Sequence, residues 1–211
     1  MAKTRAKGRR DKLGIESLRV SRPVDLPSKK LGAFADKMGR SIEGVGTIYT
    51  PGSMSVTLMR GYDFLGIINS LTIKDQRAFR PKFLNFEETL KEKLSDCQET
   101  INFATTALGF YASSQNKIRN GKTAVALKGN EDENRHLNYE LGLIREVFSE
   151  FNLPSPQLLP RKLHLTIGEV AMNRLTHGEG RNPNALVPSG IEIPLLVRLG
   201  EVNCKPIQPT H

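Results

Sequence analysis

Histidine is scarce and unevenly placed in this 211-residue chain: there are four, and none precedes His136. Chemistry that needs an imidazole from the first half of the sequence is therefore excluded. Cysteine is scarcer still, and Cys97 and Cys204 lie far apart, with no second Cys or His at ligand spacing. That excludes a zinc site and a disulfide framework and leaves two reduced, structural thiols. No apolar run approaches the roughly 18–20 residues of a membrane span. The opening MAKTRAKGRRDK has no apolar core, so a cytoplasmic protein without a secretory leader is expected, an organellar transit peptide being the weaker alternative. Gly-Glu-Gly at 178–180 lacks the strand-to-helix context and the Lys-Ser/Thr of a phosphate loop, and no Gly-x-Ser-x-Gly elbow is present.

What is present is ordinary soluble composition with a positive surplus. Apolar residues make up 38% and charged residues 25%, which excludes a wholly disordered chain. The net charge of +9 favours anionic partners, nucleic acid or phosphorylated small molecules. More than half of it sits in residues 1–12, where Lys3, Arg5, Lys7, Arg9, Arg10 and Lys12 face Asp11 alone. The expected organisation is a basic, disordered arm (1–12), one bilobal domain (13–205) and a flexible tail (206–211).

Periodicity places the elements. A helix beginning at Pro27 is expected from Leu31, Phe34, Met38 and Ile42. After a Pro51-Gly52 turn, Met54, Val56 and Leu58 alternate with Ser53, Ser55 and Thr57, a strand whose polar face carries only small hydroxyls. Phe86, Leu90 and Leu94 mark a helix near 86–98, and INFATTALGFYAS and KTAVALKG read as strands joined by a loop at 116–121. A helix over 134–151 follows from Leu137, Leu141, Ile144, Phe148 and Phe151. The acidic run 131–133 begins that helix rather than holding a metal. RKLHLTIGEV (161–170) is a strand with one polar face, 177–189 is a long loop, and IEIPLLVRLGEV closes the chain as one strand, its Pro194 favouring an edge. The mixed order gives an α+β class.

The two polar-faced strands repeat. Pro51-Gly-Ser-Met-Ser-Val-Thr-Leu and Pro160-Arg-Lys-Leu-His-Leu-Thr-Ile each follow an amphipathic helix, and the alignment sets Ser55 against His164 and Thr57 against Thr166. This pattern resembles the two-histidine phosphoesterase superfamily, with its 2′,5′-RNA ligase-like proteins and RNA cyclic phosphodiesterases, whose mark is a His-x-Thr strand in each of two lobes. The resemblance spans most of residues 13–205 and is stronger in the second half.

The resemblance implies two pseudo-symmetric lobes of antiparallel sheet with outer helices around a central cleft. It implies metal-independent, cofactor-free hydrolysis of a 2′,3′-cyclic phosphate or related 2′,5′-linked phosphodiester, with RNA or a nucleotide as partner, no membrane, and a monomer. One imidazole would act as base and the other as acid, and the two Thr hydroxyls would donate to phosphate oxygens.

The chain departs from that pattern at Ser55, which has no titration near neutral pH. The expected catalytic set is His164, Thr166, Ser55 and Thr57, with Arg60, Lys162 and His177 as phosphate- or RNA-binding residues. Thr57 and Thr166 read equally well as β-formers paired across a sheet. His177 opens the Gly-rich loop and is the candidate second imidazole, His136 is read as solvated, and Tyr62 offers a ring for a base or for the core. Two other functions stand beside hydrolysis: a non-catalytic RNA- or nucleotide-binding module on a degenerate site, and an interaction protein using the arm and central helices.

Overall fold

The computed structural model describes residues 15, 17–25, 28–97, 99–111, 121–129, 131–156, 163–175, 182–190, 193 and 195–207. The basic arm, the loop residues 116–120, Lys162, His177 and residues 208–211 lie outside them. The first strand is β1 (Ser17–Pro23), in which Leu18, Val20 and Arg22 are fully buried and alternate with half-buried Arg19 and Ser21. Helix α1 (Lys29–Ser41) follows, and its cap is Ser28 rather than Pro27: the Ser28 hydroxyl accepts from the Leu31 N–H at 3.2 Å, satisfying one orphan donor of the first turn. Leu31, Phe34 and Met38 form its buried stripe, with Ile42 capping the end.

Two strands, β2 (Gly46–Ile48) and β3 (Ser55–Met59), precede three helices, α2 (Gly61–Ser70), α3 (Ile73–Phe79) and α4 (Phe83–Ser95). Strands β4 (Ile101–Tyr111) and β5 (Lys122–Gly129), helix α5 (Glu131–Glu150) and strands β6 (His164–Ala171), β7 (Leu196–Leu199) and β8 (Asn203–Ile207) complete the chain. The strands form one antiparallel sheet in the order β7-β4-β5-β6-β3-β1-β8, with β2 also on β6. It curls, because strands far apart in that order meet again. Val24, just past β1, bridges Leu199 of β7, the Asp25 N–H donates to the Arg198 carbonyl at 2.9 Å, and the Gly200 N–H donates to the Pro23 carbonyl at 2.8 Å.

The fold is α+β in two matching lobes, and the register shows how closely they match. Between β1 and β3 the ladder steps from Ser21 opposite Thr57 to Val20 opposite Met59, leaving Leu58 unmatched. Between β5 and β6 it steps from Ala126 opposite Thr166 to Val125 opposite Gly168, leaving Ile167 unmatched. Each bulge therefore sits one residue after the motif threonine. A bulge reverses which face the following residues present, and both motif strands accordingly bury two residues in succession, Leu58-Met59 and Ile167-Gly168.

One correction follows from the topology. Among the described residues, the expected closing strand IEIPLLVRLGEV holds only the four residues of β7, and a further strand, β8, lies beyond it. Beyond β7 the chain turns at Gly200 and crosses to the other lobe, where β8 pairs with β1 and runs to Ile207, two residues into the expected tail. Helices α2, α3 and α4 form a layer packed on the core: Phe64 and Phe79 each meet Phe83 and Phe86, Phe64 and Phe86 meet Phe148, and Phe86 meets Phe151, at centroid separations of 5.1–6.3 Å. Such aromatic pairs hold the layer through area burial and edge-to-face contacts.

A buried ion pair fastens the lobes to each other. Arg22 of β1 is 0% exposed and Glu140 of α5 is 3% exposed, and the Arg22 Nε lies 2.9 and 3.0 Å from the two carboxylate oxygens. Arg22 Nη1 donates to the Gly200 carbonyl at 2.7 Å. The guanidinium thus ties β1, α5 and the β7–β8 turn together, every charge matched as burial demands.

Candidate functional site

The site is assembled where the two motif strands share a ladder. Strands β3 and β6 lie side by side and antiparallel, with Ser55 opposite Thr166 and Val56 opposite Leu165. Because side chains alternate along a strand, Val56 and Leu165 enter the core while Ser55, Thr57, His164 and Thr166 share the opposite face. The same register, carried two residues on, sets Thr57 against His164. The four residues expected from the sequence repeat are therefore neighbours on one surface, with Ser55 the most enclosed at 8% exposure.

Three further residues border this face. Arg19 reaches over from β1, and its Nη2 donates to Ser55 Oγ at 2.7 Å and to Thr57 Oγ1 at 3.1 Å. Burial pushes the Arg19 guanidinium below its usual value, and Tyr49, which acts on it electrostatically, offsets part of that shift. Lys128, the last residue but one of β5, lies directly opposite His164. Tyr49 follows β2, its N–H donating to the Ile167 carbonyl at 2.8 Å.

The placement of β2 depends on a glycine beside the motif. A Cβ on Gly168 would lie 2.3 Å from the Thr47 carbonyl oxygen and 3.0 Å from the Ile48 Cα, so only glycine lets β2 approach β6 there. Tyr49 is carried in with it.

Sequence reasoning missed Arg19, Lys128 and Tyr49. The signal for Arg19 was its alternation with Leu18 and Val20 in SLRVSRP; for Lys128 it was the end of KTAVALKG. Neither shows which strand is its neighbour. Arg60 is placed differently from the expectation: its guanidinium pairs with Asp63 at 2.8 and 3.2 Å and lies 4.3 Å from the Tyr62 ring centroid. Its charge is matched locally at the start of α2, and Tyr62 stands outside the core at 38% exposure. His136 is exposed on α5, as expected. Among the described residues no group of His, Cys, Asp and Glu could hold a metal ion. Cys204 is no nucleophile at neutral pH, since burial pushes its thiol up to about 11.

No family model matches the chain, and no curated protein matches it. Solved structures do. Kluyveromyces marxianus Usb1 superposes with a TM-score of 0.52 at 13% identity, over 90% of this chain and 94% of that one. The same protein with uridine monophosphate gives 0.53 at 12% identity over the same shares. The chain has the two-histidine phosphoesterase fold. Escherichia coli LigT is also similar, at 14% identity over 92% of this chain and 96% of that one, with a TM-score of 0.44. On this fold the two paired strands carry Ser55, Thr57, His164 and Thr166 on one face, with Ser55 beneath the Arg19 guanidinium.

Proposed function

We propose that the chain is a divergent two-histidine phosphoesterase that opens 2′,3′-cyclic phosphates or related 2′,5′-linked phosphodiesters at RNA ends, without metal, as a cytoplasmic monomer. The observation that carries this reading is the pairing of Ser55 with Thr166 across β3 and β6, which brings the two repeated motifs onto one face. The solved Usb1 structure with uridine monophosphate supports a nucleotide phosphate as the ligand class.

In the reaction, water adds to phosphorus, the bond from phosphorus to one ribose oxygen breaks, and the proton lost by water is balanced by the proton gained at that oxygen. His164 carries a proton in this exchange, as base or acid. Thr57 and Thr166 donate to the non-bridging oxygens, where charge grows in the transition state. The basic residues 1–12 add salt-dependent affinity for the rest of the RNA.

A second reading, a binding module that no longer turns over, is favoured by one observation: Ser55 is held by Arg19 and supplies no second proton carrier. The test is a short RNA ending in a 2′,3′-cyclic phosphate, incubated without added metal with the wild type and His164→Ala. The hydrolase reading expects opening by the wild type and a loss of about 10²–10⁴-fold in the variant. Retention of the RNA with no opening by either would support the binding module.

A further inference from the structure

The least expected feature of the cleft is a half-buried arginine that bonds to hydroxyls instead of an acid. Among the described residues Arg19 has no carboxylate partner. Its single Nη2 donates to both Ser55 Oγ and Thr57 Oγ1, which leaves Nε and Nη1 for another acceptor. The effect on the hydroxyls is directional. A hydroxyl has one O–H and two lone pairs, so with a lone pair on each oxygen taken by Nη2, the two O–H protons remain to be donated elsewhere.

Among the described residues no carboxylate bonds to these two hydroxyls. Lys205 of β8 is the cross-strand neighbour of Arg19, and Lys128 of β5 is that of His164. Placing an unpaired guanidinium in a partly desolvated cleft is costly unless a ligand supplies the counter-charge. The planar guanidinium fork matches the oxygens of a phosphate, and two hydroxyl donors beside it complete the set.

We propose that Arg19, Ser55 and Thr57 form a phosphate seat in which a fixed charge and two oriented hydroxyls do the holding that an imidazole would do in the first motif, leaving His164 as the single proton carrier. This rests on reading the cleft as a phosphoester site, and it assigns the two lobes different work: the first holds the anion and the second moves the proton.

The experiment separates this seat from the reaction. Binding of uridine 3′-monophosphate is measured by calorimetry for the wild type, Arg19→Gln, Arg19→Lys and Thr57→Val, with folding checked by thermal melts. Opening of the cyclic-phosphate RNA is followed in parallel. Arg19→Gln is expected to weaken the nucleotide by about 10–100-fold, the loss of a charge-assisted contact. Arg19→Lys is expected to recover part of it, because an ammonium keeps the charge and loses the fork. Thr57→Val, close to isosteric, should weaken binding several-fold and keeps the test decisive if Arg19→Gln does not fold.

A guanidinium does not titrate below pH 9. In a His164→Ala background the affinity should therefore stay level between pH 7 and 9, where an imidazolium-held phosphate would be released. Nucleotide binding unchanged in Arg19→Gln, with cyclic-phosphate opening intact in the wild type, overturns the seat and leaves the hydrolase standing. Arg19-dependent binding with no opening by the wild type upholds the seat and overturns the hydrolase. A wild type that binds no uridine 3′-monophosphate overturns the seat.

Discussion

In the first lobe the motif strand presents Ser55 and Thr57 with Arg19 reaching across from β1; in the second it presents His164 and Thr166 with Lys128 opposite on β5. The backbones agree down to a bulge one residue past each threonine. The side chains agree only at the threonines. A duplicated frame can thus hold its geometry while the chemistry of its halves separates, because bulge and register are set by core residues on the other face. Val56 and Leu165 anchor that face, and both are fully buried.

The comparison can be broken most severely where the lobes are fastened. Glu140→Leu leaves Arg22 charged and buried without its partner and should cost about 3–5 kcal/mol, read as a lower urea midpoint. A milder change separates the lobes at equivalent positions. The bulges align Met59 with Gly168, yet the first lobe buries a whole methionine where the second has no room for a methyl. Gly168→Ala should destabilise by about 1–3 kcal/mol through overpacking against the Thr47 carbonyl, again measured by denaturant unfolding. If Gly168→Ala is neutral, β2 is not held against β6 as described.

Much of the second lobe was legible in the sequence because its signals are local. The stripe of Leu137, Leu141, Ile144 and Phe148 fixes α5, and KTAVALKG and KLHLTIGEV mark β5 and β6. The motif repeat marks Ser55, Thr57, His164 and Thr166, which the pairing of β3 with β6 brings onto one face. The first lobe was harder because its signals are long-range. Strand β1 carries two arginines in seven residues, and Arg22 is acceptable there only because Glu140, 118 positions away, neutralises it. Strand β8 was not foreseen because nothing nearby announces that the Gly200 carbonyl will be held by Arg22 while the chain crosses lobes. Arg19 escaped for the same reason: its role depends on β3 being its neighbour, a property of sheet order.

The most direct test of this division of labour is the pH dependence of cyclic-phosphate opening, compared between the wild type and His164→Ala. One proton carrier predicts a single limb between pH 5 and 8, its direction giving the role: rising with pH for a base and falling for an acid. The limb should vanish in His164→Ala. A bell with two ionisations in that range, or a limb that survives the substitution, would contradict the assignment of proton transfer to the second lobe alone.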